Sequence, residues 1–208
     1  MERRVRLIVN PSSGGGRALG GLPTVQAALE RLGVPYETFQ TTSLDHGREL
    51  AVEGAARGET VAALSGDGLV GAVAGALATS EHDGVLGVLP GGRGNDLARV
   101  LGIPLDDLGA ACAVLRDGVE RPLDVGCVGA DRPFIGIASL GFDSDANRIA
   151  NEAPPRLGNL VYAYGALRAL AAWKPATFTL SLDGGPPQTH TGYSVAFANS
   201  KAYGGGMY

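Results

Sequence analysis

Cysteine, histidine and long apolar runs are scarce in this chain, and each scarcity removes a class of function. The 208 residues hold two cysteines and three histidines. Cys112 and Cys127 stand in apolar contexts and read as reduced, buried thiols. No Cys/His spacing matches a zinc site. His46, His82 and His190 are scattered through polar segments and read as solvated side chains. No apolar run approaches the roughly 20 residues of a membrane-spanning helix. Met1-Glu2-Arg3-Arg4 leads directly into an apolar strand without the apolar core of a signal peptide, so a cytoplasmic location is expected. Basic residues are not in excess: 17 Lys and Arg face 21 Asp and Glu, for a net charge of -4. That balance argues against general nucleic-acid binding, which needs a basic stripe. Any membrane-peripheral contact has to come from a local patch.

Glycine is abundant, with 33 residues, and many of them stand where predicted strands end. Apolar strands are predicted over residues 6–9, 36–41, 60–64 and 85–89. Helices are predicted after each: one carrying Val25, Ala28, Leu29 and Leu32 and stopping at Gly33, then 44–57, 69–78, 95–101 and 108–116. Residues 10–16 read as a loop without regular structure. This alternation predicts an α/β, Rossmann-like three-layer domain with a mostly parallel sheet over residues 1–120. In such sheets ligands bind beyond the carboxyl ends of the strands. Three glycine loops, at residues 10–16, 65–68 and 90–94, therefore gather on one edge.

After residue 120 the pattern becomes β-rich. Strands are predicted over 119–128, 132–138, 176–183 and 188–198, with a turn at Asp183-Gly184-Gly185-Pro186. One helix is predicted over 159–173. Residues 121–208 thus read as an incomplete β-rich, sandwich-like domain, ending on the glycine-rich Lys201 to Tyr208 as though truncated.

The most informative run is Leu64-Ser65-Gly66-Asp67-Gly68-Leu69-Val70. A strand enters a glycine-flanked aspartate, and a small-residue helix follows at once. Glycines let backbone N–H groups approach a phosphate, and the helix N-terminus favours negative charge. Asp67 places a carboxylate where Mg²⁺ or a reacting hydroxyl would sit. Taken alone the run is equally a turn, and Asn95 and Asp96 are equally caps for the helix they open.

Four further elements stand in order with it: Asn10-Pro11-x-Ser13-Gly14, Gly94-Asn95-Asp96-Leu97-Ala98-Arg99, Leu123-Asp124-Val125-Gly126 and Gly204-Gly205-Gly206-Met207. Together they resemble the diacylglycerol-kinase-like lipid kinases of bacteria, in the superfamily shared with sphingosine kinases, NAD kinases and 6-phosphofructokinases. The resemblance covers residues 4–208. It implies an ATP-dependent enzyme that transfers the γ-phosphate to a lipid hydroxyl such as that of diacylglycerol. It implies nucleotide contacts at Asn10 and Thr41, a phosphate loop of Ser65, Gly66, Asp67, Gly68, Leu69, Val70 and Gly71, and a second wall of Gly92, Arg93 and Gly94. Asp67, Asp96 and Asp124 match the aspartates that organise Mg²⁺ through water, and they are the implied catalytic set. Such chemistry needs positioning and charge neutralisation more than covalent catalysis.

The chain departs from the family's usual Gly-Gly-Asp-Gly-Thr at Ser65 and Leu69, and from a usual threonine at Arg93. Loss of the threonine hydroxyl is expected to remove one phosphate hydrogen bond. The resemblance implies a general base C-terminal to the Gly-Gly-Gly-Met loop, and a chain without that segment is expected to react about 10²–10⁴-fold more slowly. A non-catalytic nucleotide-binding pseudokinase and an NAD-kinase-type enzyme with a soluble substrate stay open as alternatives. Peripheral membrane contact through residues 149–164 and a homodimer through open sheet edges stay open as well.

Overall fold

Val5, Leu7, Ile8 and Val9 are all wholly buried, as a central strand covered on both faces requires. A computed structural model describes residues 4–142 and 174–202, with isolated positions 144, 149 and 167. In it β1 (Val5–Val9) pairs in parallel with both β2 (Tyr36–Gln40) and β3 (Thr60–Ser65), and β3 pairs in parallel with β4 (Val85–Pro90). The order is β2-β1-β3-β4. Helices α1 (Arg17–Arg31), α2 (Leu44–Ala56) and α3 (Asp67–Ala78) follow the first three strands, and α4 (Asp96–Val100) and α5 (Leu108–Asp117) follow β4.

Register separates the two faces. Leu7 lies opposite Ala62, and Ala62 opposite Gly87. A Cβ on Gly87 would run into Leu115 of α5. Arg6 lies opposite Val61 on the other face, where a Cβ on Gly54 of α2 would sit 2.8 Å from Val61. Helices α1 and α5 therefore cover one face, and α2 and α3 the other, which is the expected three-layer α/β arrangement. The caps are local: Ser43 Oγ accepts from His46 N at 3.0 Å to open α2, and Asp107 Oδ1 accepts from Ala110 N at 2.9 Å to open α5.

The amino ends of the strands carry an internal ion-pair network. Arg6 is 1% exposed. Its Nε donates to Glu59 at 2.7 Å and its Nη1 to Glu53 at 3.2 Å. The guanidinium lies 4.4 Å from the centre of the Phe39 ring. Arg4 adds contacts to Glu59 at 3.2 Å and to Glu37 at 3.3 Å.

Four local expectations change. Residues 10–16 are not structureless, because Ser13–Gly15 form a 3-10 turn. Of 119–128 only β5 (Gly126–Val128) is a strand, paired antiparallel with β6 (Arg132–Phe134). Pro122 has no N–H for a ladder, and Val119 is 81% exposed. The run 132–138 divides into β6 and β7 (Ile137–Gly141). The run 188–198 divides into β9 (Gln188–Gly192), which pairs with β8 (Ala176–Leu180), and β10 (Ser194–Ala198), which pairs with β7. Each division falls where the chain changes partner.

Asp183 and Gly184, at φ 52° and 72°, make the expected hairpin turn, closed by Gly185 N to Leu182 O at 2.8 Å. Residues up to Gly136 and from Asn199 on form one compact unit, and Ile137–Ala198 a second. The sequence expectation placed its division between 120 and 121. Among its described residues the second unit is β-rich and antiparallel, as expected. Among the described residues no helix is long and apolar enough to cross a membrane. All but position 167 of the predicted helix over 159–173, all but position 149 of the segment 149–164, and Gly204-Gly205-Gly206-Met207 lie outside the described residues.

Candidate functional site

The loops after β1, β3 and β4 are bound to one another at the carboxyl edge of the sheet. Asn10 N–H reaches Leu64 O at 3.4 Å, and Asn10 Oδ1 accepts from Ser12 N and Ser12 Oγ at 3.1 and 2.8 Å. Ser13 N–H donates back to Asn10 O at 3.1 Å, which closes the turn. Ser13 Oγ then accepts from Gly66 N at 2.8 Å. Gly91 N–H donates to Ser65 O at 2.9 Å, extending the β3–β4 pairing into the loops.

Gly66 and Gly92 meet backbone to backbone. A Cβ on Gly66 would lie 3.0 Å from Gly92 Cα, and a Cβ on Gly92 would run into Gly66 Cα. Only glycine allows this approach from both sides. By contrast, a Cβ on Gly68 or Gly71 would meet nothing within 4 Å among the described residues. Space is therefore open beside the first turn of α3. Backbone N–H groups of a first helical turn have no intrahelical acceptor. Here Val70 N donates back to Gly66 O, at 3.3 Å.

Asp67 is the first residue of α3, yet its carboxylate turns to another helix. Its Oδ1 accepts from Leu97 N, in the first turn of α4, at 3.2 Å. Burial raises its pKa; the hydrogen bond from Leu97 lowers it, and the nearby Asp96 charge raises it. The reading of Asn95 as a side-chain cap for α4 is thereby corrected. Asn95 occupies the cap position at φ 54° without a capping hydrogen bond, and Asp67 does the capping. The Asn95 amide faces back to Gly92, accepting its N–H at 2.8 Å and donating to its carbonyl at 3.2 Å.

Asp67 and Asp96 are brought together. Asp124 is exposed, and its main-chain oxygen accepts from Asn199 Nδ2 at 2.6 Å. Among the described residues no three acidic, histidine or cysteine side chains form a cation site, so the three aspartates are not gathered as one cage. Two carboxylates still suit a cation that keeps its waters and takes further oxygens from a phosphate.

Thr41 is 5% exposed, Ser65 2%, Leu69 1% and Val70 2%. Thr41 N–H donates to Val9 O at 2.8 Å. A Cβ on Gly47 of α2 would meet the Leu69 side chain first and Thr41 Cγ2 next, at 3.6 Å. Leu69 therefore fills the contact between α2 and α3, and its substitution for threonine is a packing matter. Arg93 is exposed, and Gly94 O accepts from Arg99 Nη2 at 3.4 Å. Sequence reasoning missed the work of Ser13 and Asn95. The available signals were a hydroxyl in the first glycine loop and an asparagine, tolerant of positive φ, just ahead of a helix.

The arrangement sets the first turn of α3, which its cap residue Gly66 leaves without a side-chain cap, beside two neighbouring carboxylates. The first accepts phosphate, and the second suits a phosphate that arrives with a cation. Residues 4–128 match the family model described as the diacylglycerol kinase catalytic domain. Residues 136–208 match the YegS C-terminal NAD kinase beta sandwich-like domain. The chain is 32% identical over 209 residues to a diacylglycerol kinase of Mycobacterium tuberculosis, covering 98% of this chain and 67% of the relative. It is 33% identical over 184 residues to a diacylglycerol kinase of Bacillus subtilis, covering 88% of this chain and 60% of that one. A crystal structure of a Bacillus anthracis diacylglycerol kinase shares the fold, with a TM-score of 0.78 and 22% identity, over 99% of this chain and 67% of that one.

Proposed function

The chain belongs to the diacylglycerol kinase catalytic-domain family, and on that premise we propose that it transfers the γ-phosphate of ATP to the hydroxyl of a lipid such as diacylglycerol. The observation that carries the reading is the open first turn of α3, set beside Asp67 and Asp96 by the contact of Gly66 with Gly92. The terminal phosphates of ATP lie along Asp67, Gly68, Leu69, Val70 and Gly71. Donors there come from main-chain N–H groups, so the side chains of Leu69 and Val70 are free to pack inward. Asn10, Thr41, Ser65 and Gly66 form one wall of the nucleotide site, and Gly92, Arg93 and Gly94 the other.

Asp67 and Asp96 would hold a divalent cation through water, and that cation would supply charge neutralisation at the phosphates; Asp124, the third carboxylate the resemblance implies, is not gathered with them among the described residues. The chain's own part is positional. Asp67 stays fixed by Leu97 N–H while it serves the phosphates, and the exposed Arg93 guanidinium adds positive charge at the second wall. The lipid hydroxyl attacks the γ-phosphorus and gives up its proton to water; the bond from that phosphorus to the bridging oxygen breaks, and ADP leaves.

The test is transfer from γ-labelled ATP with Mg²⁺ to diacylglycerol in detergent micelles, beside Asp67→Asn. Labelled phospholipid from the native chain and a loss on the order of 10²-fold in the variant supports the reading. Nucleotide binding without transfer to any lipid replaces it with a non-catalytic nucleotide module. Label on NAD in place of lipid replaces it with a soluble-substrate kinase.

A further inference from the structure

We propose that Ser13 and Asn95 are positioning residues, a two-point clamp that holds Gly66 against Gly92 and so sets how the first turn of α3 meets a phosphate. The inference deepens the reading above and rests on a phosphate being bound there.

The clamp is visible in where the loop donors go. A glycine loop is expected to offer all its N–H groups to phosphate. Two of them are already taken: Gly66 N–H by Ser13 Oγ at 2.8 Å, and Gly92 N–H by Asn95 Oδ1 at 2.8 Å. Asn95 also takes the other side of the same residue, donating to Gly92 O at 3.2 Å. The two glycines held in this way are the pair whose backbones touch. Ser13 grips Gly66 from a different loop, the one after β1, whereas Asn95 fixes Gly92 from within the same loop, at the entrance to α4.

Both residues are built for this use. Ser13 begins the 3-10 turn and is oriented by its own N–H on Asn10 O, at 3.1 Å. Asn95 adopts φ 54°, which turns its amide back toward Gly92. It is released from capping because Asp67 accepts from Leu97 N in its place. Phosphate donors are then the N–H groups that follow Gly66, in the first turn of α3. The clamp fixes their direction without touching the nucleotide.

Four variants test this: Ser13→Ala, Ser13→Thr, Asn95→Gly and the double Ser13→Ala/Asn95→Gly. Asn95→Gly keeps access to positive φ while deleting both amide bonds. ATP affinity is read by calorimetry, KM and kcat by lipid phosphorylation, and Gly66 and Gly92 amide exchange by NMR. Each single deletion is expected to weaken ATP binding and raise KM about tenfold, with a smaller change in kcat. Ser13→Thr restores both. The double variant should lose less than the product of the two, because both act on one contact.

Faster exchange at Gly66 and Gly92 with unchanged ATP affinity and KM overturns the clamp as a positioning device. Equal falls in affinity and melting temperature, with no rescue by Ser13→Thr, reduce it to a structural contact. A native chain that folds but binds no ATP overturns the phosphate site, and the clamp with it.

Discussion

At the amino ends of its strands the sheet carries Arg6, Glu59, Glu53, Arg4 and Glu37; at the carboxyl ends it carries Ser13, Gly66, Asp67, Gly92 and Asn95. Both ends are polar, and the first closes on itself. Arg6, at 1% exposure, is met by two carboxylates and an aromatic face. Gly54 supplies the space, since a Cβ there would stand 2.9 Å from Arg6 Cδ. At the carboxyl end some bonds close inward, through Ser13 and Asn95, while open space remains beside Gly68 and Gly71. Internally matched charge holds the sheet together. Polar groups held rigidly beside open space are what a ligand can use.

The largest expected effect separates the ends by stability. Arg6→Met leaves buried Glu59 with only the solvent-exposed Arg4 as a partner and should cost about 3 kcal/mol in urea unfolding. Adding Glu59→Gln should recover part of that loss, because a buried charge paired only to the exposed Arg4 is then removed. ATP affinity of the folded fraction should not move. A cost below about 1 kcal/mol, the range of solvated surface pairs, would erase the contrast between the two ends.

Asp67→Asn should do the reverse, lowering phosphoryl transfer by about 10²–10³-fold while sparing the fold. Asp67 is pushed above its ordinary carboxyl value by burial, and secondarily by Asp96, against the lowering effect of Leu97. A carboxyl raised in the folded state contributes stability that is fully present below its unfolded pKa and lost as pH rises through the folded one. That contribution falls away in the native chain as pH rises through the raised value, whereas asparagine stays neutral and still offers an oxygen to Leu97 N–H. The variant should therefore melt at an equal or higher temperature at pH 7, and the difference should shrink below about pH 4. A lower melting temperature at pH 7 would make Asp67 a structural residue first.

These two residues also mark how far sequence reasoning reaches. The strands β1 and β3 were legible because burial on both faces writes a continuous apolar run. The glycine loops were legible because they follow those runs. Residues 119–125 misled, since Val119, Leu123 and Val125 suggest a strand while Pro122 withholds a ladder donor. Side-chain direction at the site was not legible. It depends on partners distant in the chain: Ser13 and Gly66 are 53 residues apart, and Asp67 and Leu97 are 30 apart. Arg6 stayed hidden within an apolar strand for the same reason, its partner Glu59 lying 53 residues away.

Leu69→Thr tests whether proximity to the site means service to it. The family's usual threonine suggests a hydroxyl for phosphate, but position 69 is 1% exposed and packs against Gly47. The substitution should cost about 2 kcal/mol from lost packing and a buried hydroxyl, with no gain in ATP affinity. Tighter ATP binding at unchanged stability would place the hydroxyl on the open side of α3.

The smallest expected effect belongs to Ser43, which lies at the carboxyl edge yet acts as a structural residue. Its Oγ accepts from His46 N at 3.0 Å and opens α2, and Thr42 N reaches His46 Nδ1 at 3.3 Å. Ser43→Ala should cost about 1 kcal/mol in thermal or urea unfolding and leave ATP affinity and KM unchanged. Ser13→Ala, a hydroxyl lost from the neighbouring strand's loop, should show the opposite balance. If the two variants behaved alike, position on the sheet edge would decide function, and the particular donor each hydroxyl holds would not.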